Sequence, residues 1–226
     1  MNGRNRALFL FLENYLQCRA PGSRLEEIRL PQAPELSLIL INEDYPRGGL
    51  SHEQALSLMD NPPYWCFCWA SGQVLARFLL DNPELVKDKT VVDFGAGSGV
   101  VGIAAKLAGA GRVILCDQDE KALRAGELNA RINRVAVEFS SSLEELLNVE
   151  ARNWVVTVAD VFYDRENLPL LETMLNRFGT VLVSDSRLKS RPLQGMEIIA
   201  THESHTVPDL DESPEFNSVT LYRSRQ

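Results

Sequence analysis

The stretch TVVDFGAGSGVVGIAAKLAGAGRVILCD, residues 90–117, leaves few folds open to this chain. It starts and ends with short runs rich in Val, Ile and Leu, apolar without alternation. A glycine-rich turn and a helix-length segment lie between them. Such runs belong to strands buried on both faces, and two of them joined through a helix pair in parallel. The alternation continues downstream. It predicts strands at 90–95, 112–116, 135–139, 153–159, 180–184, 196–202 and 217–223, with helices near 99–108, 119–131, 142–148 and 165–177 separating the first five. Only HESHTVPDLDESPEF joins the last two strands, so they are expected to form an antiparallel hairpin at one edge. The fold class is α/β: a seven-stranded, mostly parallel sheet with helices on both faces.

Residues 1–60 are less regular and are expected to form an N-terminal extension, with 61–226 as the main domain. In the extension, a helix over about 5–18 runs to a turn at APGSRL, and LSLILI (36–41) is a candidate strand. The main domain opens with a helix in SGQVLARFLLDNPELV, stopped by Asn82-Pro83. The apolar run ALFLFL, after Arg4 and Arg6, is shorter than the ~7–15 residues of a signal-peptide core. No segment approaches the ~18 apolar residues of a membrane span. A net charge of −8 speaks against a general nucleic-acid binder. The four cysteines, Cys18, Cys66, Cys68 and Cys116, form no paired C-x-x-C, and neither they nor His202 and His205 suggest a metal site. The expectation is a cytoplasmic protein with reduced thiols, no metal, and neither nucleic acid nor membrane as partner.

The glycine turn raises the question of its ligand. Gly97-Ser98-Gly99-Val100-Val101-Gly102 is a literal G-x-G-x-x-G, and Gly95 and Asp93 extend it to D-x-G-x-G-x-G. Ligands of open α/β sheets sit at the carboxyl ends of the strands, which gathers Asp93, Gly95, Gly97 and Gly99 around one small cavity. A dinucleotide would bring a pyrophosphate there. Two like charges ~4 Å apart cost about 4 kcal/mol at an effective dielectric of ~20, so Asp93 opposes it. S-adenosylmethionine has no phosphate and carries an ammonium and a sulfonium, which a carboxylate favours. Asp117, closing RVILCD, suits the ribose hydroxyls of either ligand. A nicotinamide cofactor, or a glycine turn with no ligand, stays open as an alternative.

Three further segments carry a family resemblance: NPPYWCFCWASGQVLARFLLDNP (61–83), ADVFYDRENLPLL (159–171) and, more weakly, VLVSDSRLKSR. With the glycine turn, they resemble the electron-transfer-flavoprotein β-subunit lysine methyltransferases and their bacterial relatives. These are class I enzymes with a Rossmann-like seven-stranded sheet and a D-x-x-Y/F motif after the fourth strand. The resemblance implies in-line methyl transfer from S-adenosylmethionine to a lysine ε-amine of a protein, with the electron-transfer flavoprotein β-subunit as the suspected partner. It makes Asp160 and Tyr163 the catalytic pair, Asp160 touching the donor as well. The donor site then comprises Trp69, Asp93, Gly95, Gly97, Gly99, Asp117 and Asp160. Trp65 and Trp69 are candidates for a wall over the sulfonium or the ammonium, Asn129 for the cofactor side of its helix, and Ser140 to Ser142 with Phe139 for the adenine edge. The acidic run DLDESPE (209–215) is expected to be a solvated loop. A small-molecule N- or O-methyltransferase is the alternative, and a non-enzymatic cofactor-binding module is a further one.

Overall fold

The computed structural model describes residues 3–45, 62–147, 151–188 and 191–225. Residues 46–61, with the later part of the expected N-terminal extension, and the final residue of the helix expected at 142–148 lie outside the described residues.

The β-α alternation is realised as expected. Strand β3 (Thr90–Phe94) leads through α3 (Val100–Leu107) to β4 (Arg112–Cys116), and α4 (Glu120–Ile132) leads to β5 (Glu138–Ser140). Then α5 (Leu143–Leu147) precedes β6 (Ala151–Ala159), and α6 (Leu168–Arg177) precedes β7 (Phe178–Asp185). The last two strands are β8 (Met196–Glu203) and β9 (Ser218–Ser224). The seven strands lie in the order β5-β4-β3-β6-β7-β9-β8. The first five pair in parallel. β9 runs antiparallel to both β7 and β8, so the hairpin's second strand, not its first, joins the parallel sheet.

Strand residues alternate between two cores. Val91, Val113, Leu115, Val155 and Leu182 point into one, while Val92, Ile114, Val156, Val158, Val181 and Val183 point into the other. That period of two, with every one of these side chains buried, is why the strands read as continuous apolar runs. Helices α2 (Ala70–Asp81) and α3 cover the first face, and α5 and α6 supply Leu143, Leu171 and Met174 to the second.

The N-terminal segment adds α1 (Gly3–Arg19) and an antiparallel hairpin of β1 (Leu25–Arg29) with β2 (Ser37–Ile41). Strand β1 was not foreseen. Its sequence LEEIR offers two apolar side chains and leaves most of its length exposed, so it carries neither strand signature. The hairpin is tied to α4 by two asparagines one turn apart. Asn129 Oδ1 accepts from the Ile39 N–H at 2.7 Å, and Asn133 both accepts from Ser37 N–H and donates to Ser37 C=O. Leu12 and Leu16 of α1 share a core with Ile39, Ile41, Trp65 and Leu128.

Candidate active site

The carboxyl ends of β3, β4, β6 and β7 open into a cavity of about 720 Å³. Gly95, Gly97, Cys116, Asp117, Gln118, Ser141 and Ser142 line one side of it. Tyr64, Trp69, Asp160, Tyr163, Asp164, Asn167 and Arg187 line the other. Four acids, Asp117, Glu144, Asp160 and Asp164, stand against a single cation, Arg187, among the described lining residues. A wall of that charge favours cationic ligands.

The glycine turn is built in two layers. Gly95, Gly97 and Gly99 all adopt positive φ, at 68°, 53° and 80°. At Gly97 the nearest atom to an added Cβ is 3.9 Å away, so its face opens on the cavity. At Gly99 a Cβ would meet Leu115 at 3.1 Å and the Gly126 backbone at 3.2 Å. Gly99 therefore serves the close packing of α3 on β4 and α4, and it does not line the cavity. Beneath the turn, Asn129 Nδ2 donates to Ser98 C=O at 2.8 Å, so this residue supports the loop from behind.

Asp93 stands elsewhere than the sequence suggested. It is 2% exposed and lies under the turn, not at its mouth. One oxygen accepts from the Gly102 N–H at 2.8 Å and the other from the Thr157 hydroxyl at 3.1 Å. Gly102 sits in the first turn of α3, whose cap residue supplies no side-chain acceptor, so Asp93 caps the helix from the neighbouring strand. Burial pushes its carboxyl up to about 7, and the two hydrogen bonds act against that rise. An acid whose folded-state pKa is raised holds its proton more tightly in the native state, so its contribution to stability falls as pH rises between about 4 and 7. Asp93→Asn keeps an acceptor for Gly102 and removes this titration. Denaturant unfolding should show the wild type losing stability relative to the variant by up to about 1.4 kcal/mol per pH unit in that window. Parallel curves for the two proteins would mean that Asp93 does not titrate there.

Asp117 closes β4 at the cavity wall. Its carboxylate accepts from Gly97 N–H and Asp119 N–H, both at 2.9 Å, and its pKa is raised by burial. It thus fixes the turn while facing the cavity. Cys116 beside it has its thiol pushed up to about 12 by burial, which keeps it unreactive.

Asp160 ends β6 with φ at +51°, a conformation that asparagine and aspartate tolerate better than other side-chain-bearing residues. Its Oδ1 accepts from the Ser71 hydroxyl at 2.7 Å, the Ser186 hydroxyl at 3.1 Å and the Ser186 N–H at 3.2 Å. Oδ2 takes none of these three. Burial raises its pKa, while those donors and the Arg187 charge pull it down. Phe162 is buried under the same turn at 1% exposure, which presents Tyr163, 45% exposed, at the rim. Behind the turn, Asp185 at the end of β7 accepts from the N–H groups of Arg187 and Leu188. Burial, then the Asp160 charge, pushes the Asp185 carboxyl up to about 6.

The two tryptophans part company. Trp69 lines the cavity, donates its indole N–H to Tyr64 C=O at 3.0 Å and packs edge-on against the Tyr64 ring. Trp65 is 1% exposed and packs near Tyr15 in the N-terminal core, away from the cavity. Ser141 and Ser142 line the cavity on the side of the glycine turn, whereas Ser140 is buried and donates to Ser142 C=O. Phe139 is 42% exposed and does not line the cavity. Ser71, Ser186, Tyr64 and Arg187 went unrecognised in the sequence. VSDSR follows a strand just as ADVFY does, and the same reasoning about strand ends would have found Ser186 and Arg187.

The fold is the one that solved methyltransferases share, one of them holding bound SAM. Residues 74–183 match the ribosomal protein L11 methyltransferase (PrmA) family. The chain is also similar to the electron transfer flavoprotein beta subunit lysine methyltransferase of Homo sapiens, 36% identical over 168 residues that cover 74% of this chain and 60% of the relative. The Xenopus laevis protein of the same name is 36% identical over 69% of this chain and 64% of its own length. The chain thus spans less than two thirds of the length of these relatives. Among solved structures it resembles a ribosomal protein L11 methylase from Lactobacillus delbrueckii, with a TM-score of 0.51 and 24% identity over 69% of this chain and 78% of that one. A magnesium protoporphyrin IX methyltransferase from Synechocystis with bound SAM shares the fold at a TM-score of 0.52 and 16% identity, covering 80% of this chain and 88% of that one. Among the described residues, no helix is long and apolar enough to cross a membrane.

Proposed function

We propose that this protein transfers a methyl group from S-adenosylmethionine to a lysine ε-amine of a protein, with the electron-transfer flavoprotein β-subunit as first candidate. The observation that carries the reading is Asp160. Its Oδ1 is fixed by three donors at the end of a cavity whose rim is formed by exposed Tyr64 and Tyr163. The sequence similarity to the β-subunit lysine methyltransferases supports the choice of acceptor.

The donor side fits the cofactor. The open face of Gly97 allows close backbone approach, the Asp117 carboxylate suits ribose hydroxyls, and the acidic wall suits an ammonium and a sulfonium. When bound, the cofactor supplies an activated methyl group on sulfur. The chain's own residues then act on the acceptor. A lysine with its ordinary pKa of ~10.4 lies about three units above neutral, so its neutral form costs roughly 4 kcal/mol at pH 7. Asp160 attracts the ammonium into the cavity and, once that ammonium has released its proton to solvent, accepts an N–H of the neutral amine, which holds the lone pair in one direction. Tyr163 and Trp69 flank the side chain with aromatic surface that suits a cation. Positioning two bound reactants is worth ~7–11 kcal/mol, so no covalent intermediate is needed.

The test uses purified electron-transfer flavoprotein, methyl-labelled S-adenosylmethionine and mass mapping. Methyl increments on β-subunit lysines with the wild type, and none with Asp160→Ala, are the expected result. Label confined to the small-molecule fraction of a cell extract would move the reading to a small-molecule N- or O-methyltransferase.

A further inference from the structure

Arg187 is the single cation among the described lining residues of the cavity, and the reaction described above leaves it unused. A lysine acceptor and a sulfonium donor both bring positive charge, and four acids in the wall suit them. A guanidinium in the same wall does not help lysine entry, and the donors that its Glu212 partner leaves open suit something negative that arrives with the lysine. The residue is nevertheless firmly built in. Its backbone N–H is bound by Asp185 Oδ1 at 2.7 Å. Its guanidinium lies over the Phe216 ring at 4.6 Å and near the Tyr163 ring at 5.4 Å. Its Nη2 donates to Glu212 Oε1 at 3.0 Å, and the other Glu212 oxygen is held by the Thr206 hydroxyl. The run around Glu212, expected to be a solvated loop, thus folds back to hold this side chain.

A guanidinium offers five N–H donors in a planar fork matched to carboxylates. The Glu212 bond engages one nitrogen, and the side chain keeps 33% of its surface open. It stands beside Tyr163 on the acceptor side, at the end of β7. The glycine turn and Asp117 close β3 and β4 on the far side of β6. That separation places it away from the donor.

On the lysine-methyltransferase reading, we propose that Arg187 is a specificity-determining residue that binds a substrate carboxylate, an Asp or Glu side chain next to the methylated lysine. With a net charge of −8, this chain repels acidic protein surfaces in general. A single aromatic-braced cation at the rim lets one such carboxylate approach in a defined place. The electrostatic term then serves register more than affinity.

The experiment is a mutant cycle on electron-transfer flavoprotein. The labelled lysine is mapped, and each acidic residue beside it is changed to its amide. At one position the amide should lower kcat/KM with wild-type enzyme about tenfold. Arg187→Gln enzyme should show the same activity on both substrates, and Arg187→Glu should prefer a substrate carrying Lys at that position. Unfolding midpoints check that the variants fold, and S-adenosylhomocysteine affinity should stay unchanged. An Arg187→Gln enzyme as sensitive to the amide change as the wild type would overturn the proposal. So would a parallel loss of S-adenosylhomocysteine affinity, which would assign the guanidinium to the donor's carboxylate. An equal loss on every substrate with a shifted pH profile would assign it to the amine. A wild type that labels no flavoprotein lysine would remove the lysine reading itself, and this proposal with it.

Discussion

Asp160→Asn should lower kcat/KM for methyl transfer about a hundredfold and leave the fold intact. The asparagine tolerates the positive φ of this position, and its carbonyl can still accept from Ser71 and Ser186. What it loses is the charge that draws in an ammonium and a second oxygen to receive the amine. A hydrogen bond to a charged group contributes about 1.5–3 kcal/mol, and each 1.4 kcal/mol is a factor of ten in rate. Asp160→Ala tests something else as well. It leaves the Ser71 and Ser186 donors without their acceptor and puts alanine at φ +51°, so some of its loss will be structural. Steady-state kinetics with S-adenosylhomocysteine titrations checks the result. A variant within threefold of the wild type would mean that the amine is held elsewhere. A parallel loss of S-adenosylhomocysteine affinity would show that Asp160 also contacts the donor.

The second large effect is expected at Asp117, where one carboxylate holds two N–H groups of the cavity wall and faces the cavity. Asp117→Ala frees the Gly97 and Asp119 N–H groups and removes the acceptor for the ribose. Calorimetry should show the dissociation constant for S-adenosylhomocysteine rising roughly 10- to 100-fold, as the loss of one or two charge-assisted hydrogen bonds requires. Turnover at saturating donor should change far less. An unchanged dissociation constant would place the donor away from β4.

The parallel sheet was legible because its strands are buried on both faces, and double burial writes an uninterrupted apolar run into the sequence. The runs at 90–95 and 112–116 fall within a residue of β3 and β4. β1 was not legible, because a strand exposed along most of its length needs few apolar residues, and its partner β2 takes its backbone anchoring from Asn129 and Asn133 on a distant helix. The same limit applied at the site. Placing Asp117 at the cavity followed from its position at a strand end, and placing Asp160 and Tyr163 there from the resemblance carried by the D-x-x-Y motif after the fourth strand. Asp93 lies inside β3, one residue before its end, where its side chain reaches the Gly102 N–H, so a shift of a residue or two along the strand end decides between cavity wall and helix cap. Trp65 and Trp69 share an aromatic motif, yet the 3₁₀ turn at Tyr64–Cys66 puts one in the core and the other at the rim. Ser71 and Arg187 were hidden for a different reason. Their work depends on partners far away in sequence, Asp160 for the one, Phe216 and Glu212 for the other.

The place of β9 bears on how the molecule comes into being. β9 is synthesised after β8, yet it lies between β8 and β7. During translation the five parallel strands emerge in turn and can pair as they leave the ribosome, but β7 keeps one bare edge until β9 is out of the exit tunnel. The half of the cavity around the glycine turn is therefore assembled early. The half around Asp185, Arg187 and the Phe216 ring waits for Phe216 and β9. In a nascent chain in this state the exposed edge of β7 is the part most in need of shelter.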